Sequence, residues 1–416
     1  MYSQRMRKII LEALEHLPAE TRAITEKALE NLFSKALIEM PDGEIFVQTG
    51  DIPAMWIRDS SWQVLPLVRF VRDDEIKRVL LGVIAAQVKF LSIDPYANAF
   101  NIEPNGLCWH KDFEDQSDWV FERKWELDSL TSFLQLSLDL HNLSGIEEHL
   151  SSEWWSVVAQ ILDLFEREQF HDSSSYRFLR EGAPDHDHLS NRGYGADFAS
   201  CGLIWSAFRP SDDACELPFN IPANIHAYIM LERLERVAAH VMPALALKAK
   251  ELKTSIKLAV ERWGTITVDG TEIYAYEVDG LGGALAMDDA NYPSILSLPF
   301  HGHAIDKRYL DSRNFSLSSN NPWYFLGSEI VGVGSPHTGP NRVWPLSVAM
   351  QGLTSQSETE SVNCESDITR TRTADNHIHE SIDVDNPKDF TREWFSWAEM
   401  TFVELAFRNH LPADFG

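Results

Sequence analysis

The run Ile76-Lys-Arg-Val-Leu80-Leu-Gly-Val83-Ile84-Ala-Ala-Gln-Val88-Lys-Phe-Leu91 decides the fold class. Its apolar residues Ile76, Leu80, Val83, Ile84, Val88 and Leu91 step by three and four, the period that lays one stripe along a helix. The pattern returns after Pro222, with Ile225, Tyr228, Leu231, Leu234, Val237, Ala238 and Val241 on one face and Asn224 as the expected N-cap. Leu127 to Leu140, Trp154 to Phe165 and Leu245 to Trp263 also read as helices, with Trp154-Trp155 as packing residues. Phe395, Ala398, Phe402, Leu405 and Ala406 mark a last one, ahead of Pro412. Strand signals are few. Thr265–Val268 and Thr271–Tyr274 flank Asp269-Gly270, a strong two-residue hairpin signal, and a weaker one surrounds Asp42-Gly43 before Ile45-Phe-Val47. Strands do not alternate with helices, which argues against a doubly wound sheet or a β/α barrel. No Gly/Ser-rich or Pro-rich linker divides the chain, and the polar stretch Ser355 to Ser366 reads as a loop. One all-α-dominated domain over residues 1–416, with a few short β-hairpins in its loops, is the expectation.

Composition narrows the partners. The 416 residues are 44% hydrophobic and 24% charged, an ordinary globular profile with a sizeable core. A formal charge of −27 repels nucleic-acid phosphates and anionic membranes, so neither is expected as a partner and a neutral substrate is favoured. Cys108, Cys201, Cys215 and Cys364 lie far apart, without metal-ligand spacing, and read as free thiols; Cys201 and Cys215 are the two that could pair. The N-terminal stretch lacks a long apolar segment, and no run approaches a membrane span, so a cytoplasmic protein is expected.

Four polar strings carry the chemistry. They are Thr49-Gly-Asp-Ile-Pro-Ala-Met-Trp-Ile-Arg-Asp59, Phe208-Arg-Pro-Ser-Asp-Asp-Ala214, Gly334-Ser-Pro-His-Thr-Gly-Pro-Asn-Arg342 and His379-Glu-Ser381. They recur after helical stretches, as loops would if helical hairpins converged at one end. In the second string, Asp212 and Asp213 lie beside Arg209; enclosed together, one carboxyl would hold its proton and suit a general acid. The competing reading is a helix N-cap at Ser211 or Asp212 with Asp213 in the first turn. Glu380 fits a water-activating base or a solvated loop carboxylate. Arg58 and Asp59 can bridge vicinal sugar hydroxyls with Trp56 as an apolar face, or form a local salt bridge beside a core Trp. The Gly334–Arg342 loop fixes an irregular backbone from which His337, Asn341 and Arg342 project. Asp185-His-Asp-His188, in the stretch from Glu181, looks metal-like but reads as a solvated loop. Gly332-Val-Gly334 lacks the context of a nucleotide loop.

Taken in order, these strings resemble glycoside hydrolase family 125, the exo-acting α-1,6-mannosidases. The resemblance runs from about Thr49 to Phe407 and includes Asp94-Pro-Tyr-Ala-Asn98, Arg123-Lys-Trp-Glu-Leu-Asp128, Met287-Asp-Asp-Ala-Asn291, and Thr391-Arg392 with Trp394-Phe395. It implies an (α/α)6 barrel and an inverting mechanism without a catalytic metal or other cofactor. It also implies a mannose-containing oligosaccharide as substrate. Carried onto this chain, the general acid falls on Asp213, with Asp212 beside it, and the general base on Glu380; Glu393 is a rival base. Trp56, Arg58, Asp59, Asp128 and Arg209 would contact the sugar, together with His337, Asn341, Arg342 and His379. Competing functions are an α-glucosidase-like exo-enzyme on the same barrel, an isomerase or epimerase using His226, His337 and His379, and a non-catalytic sugar-binding protein.

Overall fold

The computed structural model describes residues 4–412 except positions 114 and 181. The ends of the expected 1–416 domain, and Glu181 at the head of the acidic–histidine stretch, lie outside the described residues. Helices dominate, and they form two concentric rings. Ile57–Val64, Leu127–Ser144, Ile221–Ala238, Pro345–Leu353 and Ser396–His410 make the inner ring. Successive members touch: Ser396–His410 packs on Ile57–Val64, which packs on Leu127–Ser144, which packs on Ile221–Ala238. Outside them lie Ala19–Asn31, Asp74–Ile93, Ser152–Glu168, Pro243–Trp263, Lys307–Ser316 and Glu358–Thr371, each preceding its inner neighbour in the chain. This is an (α/α)6 barrel.

The sixth inner position is a short 3-10 turn, Leu298–His301. Pro299 sits in its first turn, where a missing amide donor is tolerated. Asp288 stands in for the missing cap, accepting from the amides of Ile295 at 2.8 Å and Leu296 at 2.9 Å. Burial pushes its carboxyl up to about 7. Tyr292 then closes the ring through its hydroxyl to Thr401 at 2.9 Å and its ring against Trp397.

Burial tells the two rings apart. All eight residues of Ile57–Val64 are buried, polar ones included, whereas Asp74–Ile93 buries one stripe containing Ile76, Leu80, Val83 and Leu91. Each fully buried Leu or Phe contributes about 1.5–3 kcal/mol over an exposed one. Trp154 and Trp155 pack edge to face at 4.7 Å. The hairpin at Asp269-Gly270 forms with both residues at positive φ, as a two-residue turn requires. Ile45–Val47 pairs with Leu37–Glu39 around Asp42-Gly43.

Two local expectations are corrected. The cap of Ile221–Ala238 is Asn220, whose side chain accepts from the amide of Ala223 at 2.9 Å. Pro222 sits in the first turn, where its missing amide costs nothing. Asn224 instead pins the 203–206 segment, accepting from the amide of Ile204 at 2.8 Å and donating to its carbonyl at 3.1 Å. The stretch read as a loop at 355–366 is mostly helix: Ser357 caps Glu358–Thr371, with Glu358 and Glu360 favoured in its first turn.

Candidate active site

The inner helices begin at one end of the barrel, and the residues just before or inside their first turns line a pit there. Trp56, Glu126, Trp344 and Phe395 stand at the N-caps; Asp59 and Asp128 lie in first turns, where the helix dipole favours negative charge. The pit is narrow, with about 40 Å³ of room inside it. Thr49, Ile52, Trp56, Arg58, Asp59, Pro210, Ser211 and Asp212 form part of its wall; Asn291, His337, Trp344, Glu380, Arg392, Phe395 and Trp397 complete it. A larger hollow of about 670 Å³ lies where the inner helices end, beside Asp139, Glu232 and His303, but the four polar strings do not reach it.

Arg58 is the hub. Its guanidinium lies 2.8 Å from Glu126, 3.2 Å from Asp128, 2.8 Å from Asp212 and 3.4 Å from Asp59, and stacks over Trp397 at 5.1 Å. Burial pushes Asp59 and Asp128 up to about 6 despite this cation. Glu126, wholly buried, is pushed well above the carboxylate range by burial and by the charges of Asp212 and Asp128. Asp212 goes the other way. Burial would raise it, but Arg58, a hydrogen bond from Glu126 and Lys124 together hold it below the usual range.

The two adjacent aspartates point to different places. Arg209 to Asp213 is a tight turn, not a helix start: the Arg209 amide donates to the Asp213 carbonyl at 2.8 Å, and Phe208 bridges Ala214. Asp212 occupies the left-handed region at φ 67°, a conformation that Asp tolerates better than most residues. That backbone turns its carboxylate into the pit, with 24% of the side chain exposed, while Asp213 keeps only 3%. Asp213 is held by Nδ1 of His337 at 2.8 Å, and its Oδ2 has no hydrogen-bond partner. Burial opposes charge on His337, but Asp213, Glu380 and Asp212 raise it to about 9, so the imidazolium stands between carboxylates.

Glu380 reaches the pit from a three-stranded sheet of Arg342–Val343, Ser381–Asp383 and Phe390–Thr391. Its amide donates to the Thr391 carbonyl at 3.3 Å, and Arg392 lies 3.8 Å from its carboxylate. Arg392 is itself anchored on Asp51 at 2.5 Å and on the Thr49 carbonyl at 3.0 Å. Gly50, between those residues, has φ 57° and passes so close to Trp394 that a Cβ would sit 2.3 Å from its carbonyl oxygen.

Of the residues expected in the site, Trp56, Arg58, Asp59, Asp212, His337 and Glu380 line the pit together. Asp128 and Asp213 lie directly behind that wall, bonded to Arg58 and His337. Four others lie elsewhere. Arg209 is locked on Glu277 at 2.5 and 3.0 Å. Arg342 pairs with Asp389, and Asn341 is an exposed left-handed residue whose carbonyl accepts from Val384. His379 stacks flat on Phe390 at 3.6 Å. Glu393, the rival base, is exposed. His226 sits deep in the ring on Thr131 and Gln135, so the three histidines of the isomerase reading are not brought together. Asp187 of the metal-like string is occupied by Lys124 and Arg180, and no cluster suited to a metal ion occurs among the described residues. Glu126, Lys124, Arg392 and Trp397 were missed as site residues. The first three lie within strings already singled out, but nothing local distinguishes them from surface charges.

Barrel, pit and paired acids define a glycoside hydrolase. The profile of the metal-independent alpha-mannosidases, GH125, matches residues 19–407, and the chain belongs to that family. It is 35% identical to the meiotically up-regulated gene 157 protein of Schizosaccharomyces pombe, over 97% of this chain and 85% of that one. It also resembles a Streptococcus pneumoniae structure described as a metal-independent alpha mannosidase in a non-productive complex with alpha-1,6-mannobiose. There the TM-score is 0.95 at 36% identity, covering 98% of this chain and 99% of that one. A bacterial glucoamylase bound to acarbose shares the fold alone: TM-score 0.54, 11% identity, 86% of this chain and 49% of the other. The protein is therefore an α-mannosidase, and among the described residues no helix is long and apolar enough to cross a membrane.

Proposed function

We propose that this α-mannosidase is exo-acting and inverting, removing terminal α-1,6-linked mannose from short oligosaccharides, with Asp212 as general acid and Glu380 as general base. The observation that carries the roles is the shared pit: Asp212 and Glu380 both face it, and both act on the charge of His337. Asp213, named first from sequence, is already engaged by His337 behind the wall. Asp212 protonates the glycosidic oxygen as the C1–O bond breaks. Glu380 draws a proton from a water that bonds to C1 from the opposite ring face, so configuration inverts in one displacement.

The linkage reading is supported by the mannobiose bound to the S. pneumoniae relative. A small pit whose wall carries Trp56, Trp344 and Trp397 supports action on one terminal sugar. Cytoplasmic placement belongs to the same proposal and is supported by four unbridged cysteines. Proton NMR of the enzyme acting on α-1,6-mannobiose tests the reading. Mannose released first as the β-anomer is expected; first release as the α-anomer would replace inversion with retention. Asp212→Asn should lose about 10³-fold in kcat on this substrate.

A further inference from the structure

The short strands Met55–Trp56, Ala99–Phe100 and Val120–Glu122 pair into a sheet at the pit end of the barrel. Side chains of a strand alternate between its faces, and here the two faces have different fates. Met55, Phe100 and Val120 join the main core. Trp56, Ala99 and Phe121 form a separate small apolar cluster with Ala54, and half-buried Ile52 packs against it. Ile52 and Trp56 also line the pit, so the cluster is an apolar path from the pit wall outward. Trp109 stands at its outer end. Its ring meets Phe121 edge to face at 5.3 Å, and Phe121 meets Trp56 in the same way at 5.7 Å. Of the 13 tryptophans Trp109 alone is exposed, at 55%, and Leu107 beside it is 54% exposed. Two large apolar side chains are thus left in water next to a sugar site.

The arch that carries Trp109 is anchored on both sides of it. Before it, the Asn101 carboxamide donates to the carbonyls of Leu107 at 2.9 Å and Asp118 at 3.0 Å. The Gly106 amide donates to the same Asp118 carbonyl at 3.0 Å, and the Asn101 amide to that of Trp119 at 2.8 Å. After it, Arg180 grips the buried Asp112 carboxylate through two nitrogens, at 2.7 and 3.1 Å. A ring presented on a fixed backbone binds without the ordering entropy that a loose loop would cost. Asn105 and His110, exposed on the same arch, supply polar groups for hydroxyls. Two exposed apolar side chains fall far short of the roughly 800 Å² per partner of a stable protein interface, and their continuity with the pit wall favours a saccharide.

We propose that Trp109 is a stacking platform on the leaving side of the active site, meeting the second mannose beyond the bond that is cut. A pit closed around one terminal sugar leaves the rest of an oligosaccharide outside, and the leaving chain must run over the rim. Two ring-to-ring steps, each comparable to the length of one hexose unit, separate the pit wall from Trp109. The open indole face takes the C–H face of a pyranose, as an aromatic surface does for a neutral sugar. The enzyme therefore favours α-1,6-linked mannosides of three or more units. Contact so far from the reacting centre is equally strong before and in the transition state, so it lowers KM and leaves kcat alone. This role rests on the exo-acting α-1,6 reading given above.

Steady-state kinetics on α-1,6-mannobiose and α-1,6-mannotriose test it. Wild type should prefer the trisaccharide by about fivefold in kcat/KM. Trp109→Ala should abolish that preference by raising KM on mannotriose, with kcat on either substrate and KM on mannobiose held within about twofold. Two further variants separate a platform from a cover over Phe121, and they carry the test should the Ala variant fail to fold. Trp109→Phe keeps a flat ring and should retain at least about half of the preference, whereas Trp109→Leu covers Phe121 without a flat face and should lose it. A wild type that treats the two substrates alike, or variants that lose equally on both, would overturn the platform while mannobiose hydrolysis leaves the function above standing. Failure of wild type to cleave either substrate would sink that function and the platform with it. Light scattering gives the remaining outcome: a dimer that Trp109→Ala disperses would assign the surface to a second copy of the chain and overturn the proposal.

Discussion

At the pit end of the inner helices Arg58 faces four carboxylates, whereas farther along the same helices Gln135 serves two neutral histidines. His226 bonds through Nε2 to Gln135 Oε1 at 2.7 Å and through Nδ1 to the Thr131 hydroxyl at 2.8 Å. His301 bonds through Nδ1 to the same Gln135 oxygen at 2.9 Å and through Nε2 to the Ser297 hydroxyl at 3.2 Å. Every ring nitrogen is used. At the pit, Asp128 Oδ1 and Asp213 Oδ2 are buried without hydrogen-bond partners. Trp62 Nε1, packed against both histidines, is likewise unbonded, so the two ends differ in charge rather than in hydrogen-bond saturation: one is neutral, the other gathers carboxylates on a cation where a polar substrate would enter.

The comparison can be broken most sharply at its charged end. Arg58→Met removes the cation and leaves buried carboxylates facing one another. It should cost about 3–5 kcal/mol, read from the urea midpoint of unfolding at pH 7. A cost under 1 kcal/mol would mean that the cluster is already discharged by protons and that Arg58 does not organise it.

Acid should then separate the ends by sign. Burial lowers His301 from 6.5 to about 3, so its contribution is present above pH 6.5 and fades as pH falls toward 3. Between pH 7 and pH 5 that loss amounts to about 2 kcal/mol. Asp59 and Asp128 respond oppositely. With pKa values raised from 3.8 to about 6, they destabilise the fold when ionised, and each should return about 1 kcal/mol over the same interval. Chemical denaturation of His301→Gln at the two pH values should therefore show stability rising on acidification relative to wild type. Parallel curves for the two proteins would remove His301 from the account.

The smallest effect sharpens the boundary of the site. Arg342 looked like a substrate contact, but it pairs with Asp389, whose side chain is 55% exposed. Arg342→Ala should change kcat/KM on mannobiose less than twofold and stability by no more than about 0.5 kcal/mol. A large rise in KM would bring that loop into the pit when substrate binds.

Much of the barrel was legible before any coordinates. The outer helices announce themselves because one face is wet, and the stripe from Ile76 to Leu91 is the trace of that asymmetry. The inner Ile57–Val64 helix was harder to see, since it is buried all round and carries Arg58, Asp59, Ser60, Ser61 and Gln63. Its polar residues break the apolar period. The Leu298–His301 turn left no periodic trace, because its position is held by Asp288 and Tyr292 from outside the turn.

By itself the sequence determined that the chain is helical and that it carries the strings of its family, a resemblance that makes Glu380 and the Asp212-Asp213 pair the candidate acids. Local spacing suffices for these, because helix period and loop composition are short-range properties. Only the tertiary structure decided which aspartate enters the pit, that Arg209 serves Glu277, and that Glu126 meets Arg58. Those outcomes depend on a left-handed backbone at Asp212 and on charges 68 to 154 residues apart meeting at one guanidinium. A carboxylate's proton is set by what surrounds it in space, and that neighbourhood exists only after the ring has closed.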